Sequence, residues 1–287
     1  MTIREVESMT LQQQIQKMRA VHVISSGSLE TGGSKENLKV FNCPACRDTG
    51  WIKSIKNGRE YFSECQCRKK EMNQRRLAFA NIPAAFYSMR LNTFNTSVYK
   101  SEHSRIMIQL ACKCIAEYLH DFDQEYRQGR GLYLFSEAKG SGKTRMAASI
   151  ANELVDRGYQ VKFALSAEII QEIKRTWDRE NNLSESSLLD QLQETEILII
   201  DDFGTEQAAA WINEKFYQII NGRYVDRKVT IFTSNYSLMR LRYDDRITSR
   251  IEEVSYIIGF PEESVREQIA FEKNKEMLAK VERSSKG

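Results

Sequence analysis

Nowhere in its 287 residues does the chain carry an apolar run long enough to cross a bilayer, and its first residues lack the continuous hydrophobic stretch of a secretion signal. A membrane role is not expected, and the cytoplasm is the expected compartment. A strong surplus of either charge is absent too: the net charge is +3 and the sequence pI about 8.4, short of the basic footprint of a dedicated nucleic-acid binder. Any contact with DNA must rest on local patches. Wholesale disorder is excluded by an ordinary globular balance of 41% hydrophobic and 28% charged residues, in a chain long enough for one α/β core and a smaller module. Six cysteines, four of them tightly grouped and with no export signal before them, point to metal ligation more than to disulfides.

What is present is organised around Gly140-Ser141-Gly142-Lys143-Thr144, which follows the apolar run Leu132-Tyr133-Leu134-Phe135 and precedes a helix-forming stretch. Glycines in such a strand-to-helix loop let backbone N–H groups converge on phosphate oxygens, and the helix start adds its positive dipole end. Lys143 is the expected partner of the β- and γ-phosphates, and the Thr144 hydroxyl a ligand of Mg²⁺. Glu137 stands where the phosphate-loop template has glycine, and a carboxylate there repels phosphate unless it points away. A second run, Ile197 to Ile200, ends in Asp201-Asp202, the pattern of a strand buried on both faces with carboxylates at its carboxyl end. Asp201 is the candidate Mg²⁺ holder, directly or through water, and Asp202 the candidate water-polarising acid. Together the two motifs predict binding of an ATP-type nucleotide.

Cys43 and Cys46 form one C-x-x-C pair and Cys65 and Cys67 a second, closer one, with Asn57-Gly58 between them as a two-residue hairpin signal. Pairing Trp51–Lys56 with Arg59–Glu64 across that turn sets Trp51 opposite Glu64 and brings Gly50 beside Cys65, so the cysteine pairs meet at the open end. Four thiolates suit tetrahedral Zn²⁺, and with no open position and no base nearby the site would be structural. Cys114 is read as core packing, in a helical stripe with Leu110, Ala111, Ile115 and Tyr118.

Residues 3–20 repeat Leu11, Ile15 and Met18 at helical spacing; the apolar face packs either on the protein itself or into a partner's groove. Five expected segments follow: an amphipathic helix over 1–24, a Ser/Gly-rich flexible linker over 25–40, the zinc module over 41–70, a basic connector over 71–95 and a nucleotide-binding domain over 96–287. The basic run from Arg68 to Arg76 is read either as a solvated face or as a contact to DNA phosphates. Helices and strands alternate after Lys143, which predicts a parallel sheet with helices on both faces. Asn235, after the strand Val229–Thr233, is placed to contact a γ-phosphate or attacking water, although a strand-ending Asn is also turn chemistry. Arg246 and Arg250 lie one helical turn apart, and either is a candidate arginine finger or a surface ion-pair former.

Taken together, Cys43-Pro-Ala-Cys46 with Cys65-Gln-Cys67, the Lys143 loop, Ile199-Ile-Asp-Asp-Phe-Gly-Thr-Glu206, Thr233-Ser-Asn235 and Ser249-Arg250 resemble the AAA+ ATPases. The closer resemblance is to the replicative helicase loaders of the DnaC/DnaI family, in their Gram-positive or phage form, from about residue 40 onward. That resemblance implies an α/β AAA+ domain preceded by a zinc-binding hairpin module and an amino-terminal helix. It implies an amino-terminal grip on the hexameric helicase, binding to single-stranded DNA, self-association through the ATPase domain, and ATP as an assembly and release switch. By the same likeness Asn235 is the first sensor, Arg250 the finger, and Arg266 in Glu263-Ser-Val-Arg266 the second sensor. A transposition-type AAA+ regulator and a zinc adaptor with a vestigial phosphate loop are the alternatives.

Overall fold

A computed structural model describes residues 41–56, 58–177, 184–206 and 209–284; the predicted amino-terminal helix and linker lie outside them. The hairpin forms in the predicted register, β1 (Trp51–Lys56) antiparallel to β2 (Arg59–Glu64), with Trp51 opposite Glu64. Gly58, at φ +70°, supplies the left-handed backbone that a tight hairpin turn needs. Helix α1 (Gln66–Ala80) follows, and Asn81 in the left-handed conformation ends it.

A five-stranded, wholly parallel sheet forms the centre of the protein. Its strands are β3 (Gly131–Phe135), β4 (Val161–Leu165), β5 (Ile197–Asp201), β6 (Val229–Ser234) and β7 (Ser255–Gly259), in the spatial order β4-β5-β6-β3-β7. Alternate residues feed two separate cores, as the period of two requires. Leu132, Leu134, Ile197, Ile199, Val229 and Ile231 face one layer, while Tyr133, Leu198, Ile200 and Phe232 face the other. Both faces are covered by helices, so β5 reads as a nearly unbroken apolar run up to Asp201 and β6 is buried along its whole length. Gly131 is required by proximity: a Cβ there would stand 1.8 Å from the Thr230 carbonyl oxygen.

The first layer takes α2 (Glu102–His120) and α4 (Lys143–Asp156); Ala80 and Ile82, within the stretch predicted as a connector, are also buried in it. Helix α2 ends at Asp121, whose ψ of +18° leaves helical geometry, and α3 (Phe122–Gln128) continues after it. The buried stripe of α2 is Ile108, Ala111, Ile115, Tyr118 and Leu119. Cys114 and Leu110 are exposed, contrary to the expectation of core packing, because Ile108 and not Leu110 shares the face of Ala111 and Ile115.

Helices α5 (Ser166–Arg175), α6 (Glu185–Glu194), α7 (Ala210–Val225) and α8 (Asp245–Val254) cover the second layer. Here Arg223, 1% exposed, acts as a buried latch. It donates to the carbonyls of Leu192, Thr195 and Val229 at 2.7, 2.7 and 2.6 Å and to Thr230 Oγ1 at 2.8 Å, tying α6 to β6. Burial lowers its pKa to about 9. Helix α9 (Val265–Ser284) ends the described chain. Among the described residues no helix is long and apolar enough to cross a membrane.

Candidate functional site

Parallel topology puts every strand's carboxyl end on one edge, the edge where open α/β sheets bind ligands. Three neighbouring strands in the order β5-β6-β3 bring Asp201-Asp202, Asn235 and the glycine loop there together. The loop closes with Gly140 at φ +81° and Gly142 at φ +99°. At Gly142 a Cβ would stand 2.9 Å from the Tyr99 hydroxyl, and that hydroxyl donates to the Ser141 carbonyl at 2.7 Å. Packing against residues 94–99 therefore holds the loop that α4 continues.

Within the loop Lys143 folds back: its ammonium donates to the carbonyls of Ser136 and Ala138 and to Ser141 Oγ, at 3.0, 3.1 and 3.1 Å. Burial lowers its pKa, and the charges of Asp202, Glu262 and Asp201 work against that shift. Asp201 is 2% exposed, and its Oδ1 accepts from Thr144 Oγ1 at 3.0 Å and from Thr233 Oγ1 at 2.5 Å. Burial raises its pKa to about 6 despite those two hydrogen bonds. The strained turn that follows puts Asp202 at φ +54°, with its N–H donating to Thr233 Oγ1 at 3.0 Å. Thr233 thus ties the Asp201 carboxylate to the Asp202 backbone.

A cleft of about 560 Å³ opens over this edge, lined among others by Gly140 to Thr144, Asp202, Asn235 and Arg266. A hydroxyl in hydrogen-bond contact with a buried carboxylate is a donor set suited to Mg²⁺, and a lysine beside it suits a phosphate chain. Arg250 lies elsewhere. It sits on α8 with its guanidinium over Tyr217 and Tyr224, 5.1 and 5.6 Å from the ring centroids, and donates to the Arg246 carbonyl at 2.7 Å. Glu137 faces away from the loop and pairs with Arg240, so the carboxylate that departs from the template is neutralised outside the cleft. Sequence reasoning missed Phe86, Met89, Lys139 and Ile269, which also line the cleft, and Glu262, which grips the loop. Lys139 was legible as a member of the loop; the others carry no local motif.

The Sγ atoms of Cys43, Cys46, Cys65 and Cys67 all lie within 4.8 Å of one another. Tetrahedral Zn²⁺ with Zn–S of about 2.3 Å would set sulfurs about 3.8 Å apart, so the four residues fit that metal. The C-x-x-C turn is built locally: the Arg47 N–H donates to the Cys43 carbonyl at 2.8 Å, and the Asp48 carboxylate accepts from the Asn42 and Cys43 N–H groups at 3.0 and 2.7 Å. At the other pair, the Cys65 N–H donates to the Gly50 carbonyl at 2.8 Å, as the hairpin register predicted.

Residues 127–251 match the family model of IstB-like ATP binding proteins. The chain is 27% identical over 221 residues to the phage-like element PBSX protein XkdC of Bacillus subtilis, covering 75% of this chain and 79% of that one. It is 27% identical over 222 residues to the replicative helicase loader DnaI of the same organism, covering 74% and 67%. The crystal structure of the DnaC helicase loader superposes with a TM-score of 0.51 at 25% identity, covering 62% of this chain and 99% of that one. The chain therefore carries an IstB-like ATP-binding domain on an AAA+ fold and is a homologue of the DnaI and DnaC helicase loaders.

Proposed function

We propose that the chain is an ATP-dependent loader that binds the replicative hexameric DNA helicase through its amino-terminal region and places it on single-stranded DNA. ATP binding and hydrolysis serve as the switch between assembly and release. One observation carries the reading: similarity to the loader DnaI spans 74% of the chain, more than the 127–251 segment matched by the ATP-binding family model. The convergence of the glycine loop, paired acids and Asn235 on one cleft supports it.

In this reading the backbone of Gly140, Ser141 and Gly142 cradles the phosphates and Lys143 turns out to meet them. Thr144 and Asp201 hold Mg²⁺, which neutralises phosphate charge when bound. Asp202 orients the attacking water, Asn235 senses the γ-phosphate, and Arg266, at the cleft wall, contacts the nucleotide as second sensor. Arg250 completes the site of a neighbouring copy. Its absence from the lining of its own cleft supports that role. Cys43, Cys46, Cys65 and Cys67 hold a structural Zn²⁺ in a module over residues 41–70, and the ATPase domain, over 96–287, self-associates in the cytoplasm.

The test mixes the full, zinc-loaded chain with the replicative helicase of its host, with and without ATP. Stable capture of the helicase that depends on nucleotide, with delivery to single-stranded DNA, is expected. A second reading, a transposition-type AAA+ regulator, is favoured by the IstB-like match over the ATPase core alone. Capture of a transposase with no capture of the helicase would replace the loader by that regulator. Capture of the helicase without any nucleotide binding would leave a zinc adaptor.

A further inference from the structure

The loop's first two N–H groups do not await phosphate. Glu262 spans them, its Oε1 accepting from Glu137 N at 2.9 Å and its Oε2 from Ala138 N at 2.7 Å. The first of them, Glu137, is the residue at which the loop departs from the glycine template. The carboxylate is held there from both sides in sequence. Ser136 Oγ donates to the Pro261 carbonyl at 2.9 Å, the Val265 N–H donates to the Gly140 carbonyl at 3.0 Å, and Glu263 accepts from the N–H groups of Lys100 and Ser101 at 2.5 and 3.3 Å.

Lys143 reports where this anion stands relative to a bound nucleotide. Its ammonium, the group that reaches the β- and γ-phosphates, rests on the carbonyls of Ser136 and Ala138, the same short segment whose N–H groups hold Glu262. Glu262 and Lys143 therefore flank one stretch of backbone at the outer end of the phosphate cradle, away from the α4 start. The charged groups lining the cleft are Lys139, Lys143, Arg145 and Arg266 against Asp202; Asp201 and Glu262 act on Lys143 without lining the cleft, and the side chain of Glu137 is turned aside to Arg240.

We infer that Glu262 is a specificity-determining residue of the cleft, an internal anion beside the γ-phosphate position that weakens ATP relative to ADP; this rests on the nucleotide-binding reading above. A fixed negative charge repels the outermost phosphate most, because Coulomb energy falls with distance and the β-phosphate lies one phosphate deeper toward the helix start. The contact also links α9 to the occupied state, since a triphosphate that displaces Glu262 must move the segment leading into that helix.

Fluorescent ATP and ADP analogues, titrated with Mg²⁺ into the full chain, test this. Glu262→Gln, which retains a hydrogen-bond acceptor but not the charge, should tighten ATP by about fivefold and ADP by less than about twofold. Glu262→Ala should shift the ATP-to-ADP preference in the same direction. An unchanged preference in Glu262→Gln, or weaker ATP binding in both variants, would overturn the inference and leave Glu262 as a brace for the loop. If the unaltered chain binds neither nucleotide, the nucleotide-binding reading falls, and the inference with it.

Discussion

In the β1–β2 hairpin every side chain described is exposed, whereas β5 and β6 are buried from end to end. The contrast shows two ways to hold a strand pair. In the sheet, alternate residues enter cores on both faces, and each fully buried aliphatic or aromatic side chain contributes roughly 1.5–3 kcal/mol. The hairpin has no such source: Ile55 and Phe62 lie on one face, since Ile55 pairs with Glu60 and Lys53 with Phe62, yet they are 68% and 63% exposed. An isolated two-stranded hairpin is marginal in water, and in the proposed reading a Zn²⁺ on the four clustered thiols would supply the stability it lacks.

The widest separation of the two regions is expected from metal removal. Cys43→Ser, or stripping with a strong chelator, should abolish both zinc content and helicase capture while nucleotide affinity stays within about twofold. Metal analysis against one expected equivalent per chain, with a parallel nucleotide titration, checks this; loss of both properties together would show that the regions fold as one unit. Next in size is Arg250→Ala, expected to lower ATP hydrolysis about 10³-fold with nucleotide binding near normal. Mixing it with Lys143→Ala should recover part of the activity, since an intact cleft can then meet an intact Arg250. No recovery in proven mixed oligomers would return Arg250 to a surface role.

Lys143→Ala alone should weaken nucleotide binding about 100-fold, through loss of charge-assisted contacts, while zinc content and helicase capture persist. Smallest is Arg223→Met, which leaves the carbonyls of Leu192, Thr195 and Val229 unpaired in the second core layer. A loss of about 3 kcal/mol, or a Tm lower by about 6–12 °C, is expected for the sheet, with zinc content unaltered. A shift in metal retention instead would contradict the division drawn here.

Much of this arrangement was legible before any coordinates. The hairpin register followed from a two-residue turn between alternating strands, and the sheet from helix and strand alternation around unbroken apolar runs. Strand β7 escaped because an edge strand with Tyr256 and Ile257 half exposed carries neither a clean alternation nor a continuous apolar run. Cys114 was misplaced because a stripe containing Leu110 and one containing Ile108 look alike until the helix meets the sheet.

By itself the sequence determined what contiguous residues decide: the glycine loop between β3 and α4, the acids ending β5, the cysteine spacing and the turn between β1 and β2. In each, backbone geometry and side-chain chemistry act within a few residues, so the pattern can be read along the chain. Only the tertiary structure decided that Glu137 turns to Arg240, that Glu262 replaces it at the loop, and that Phe86, Met89 and Ile269 wall the cleft. The Glu262 contact joins positions 125 residues apart. No local rule encodes such a pairing; it exists because the parallel sheet gathers its carboxyl ends on one edge, where segments remote in sequence must compete for the same backbone donors.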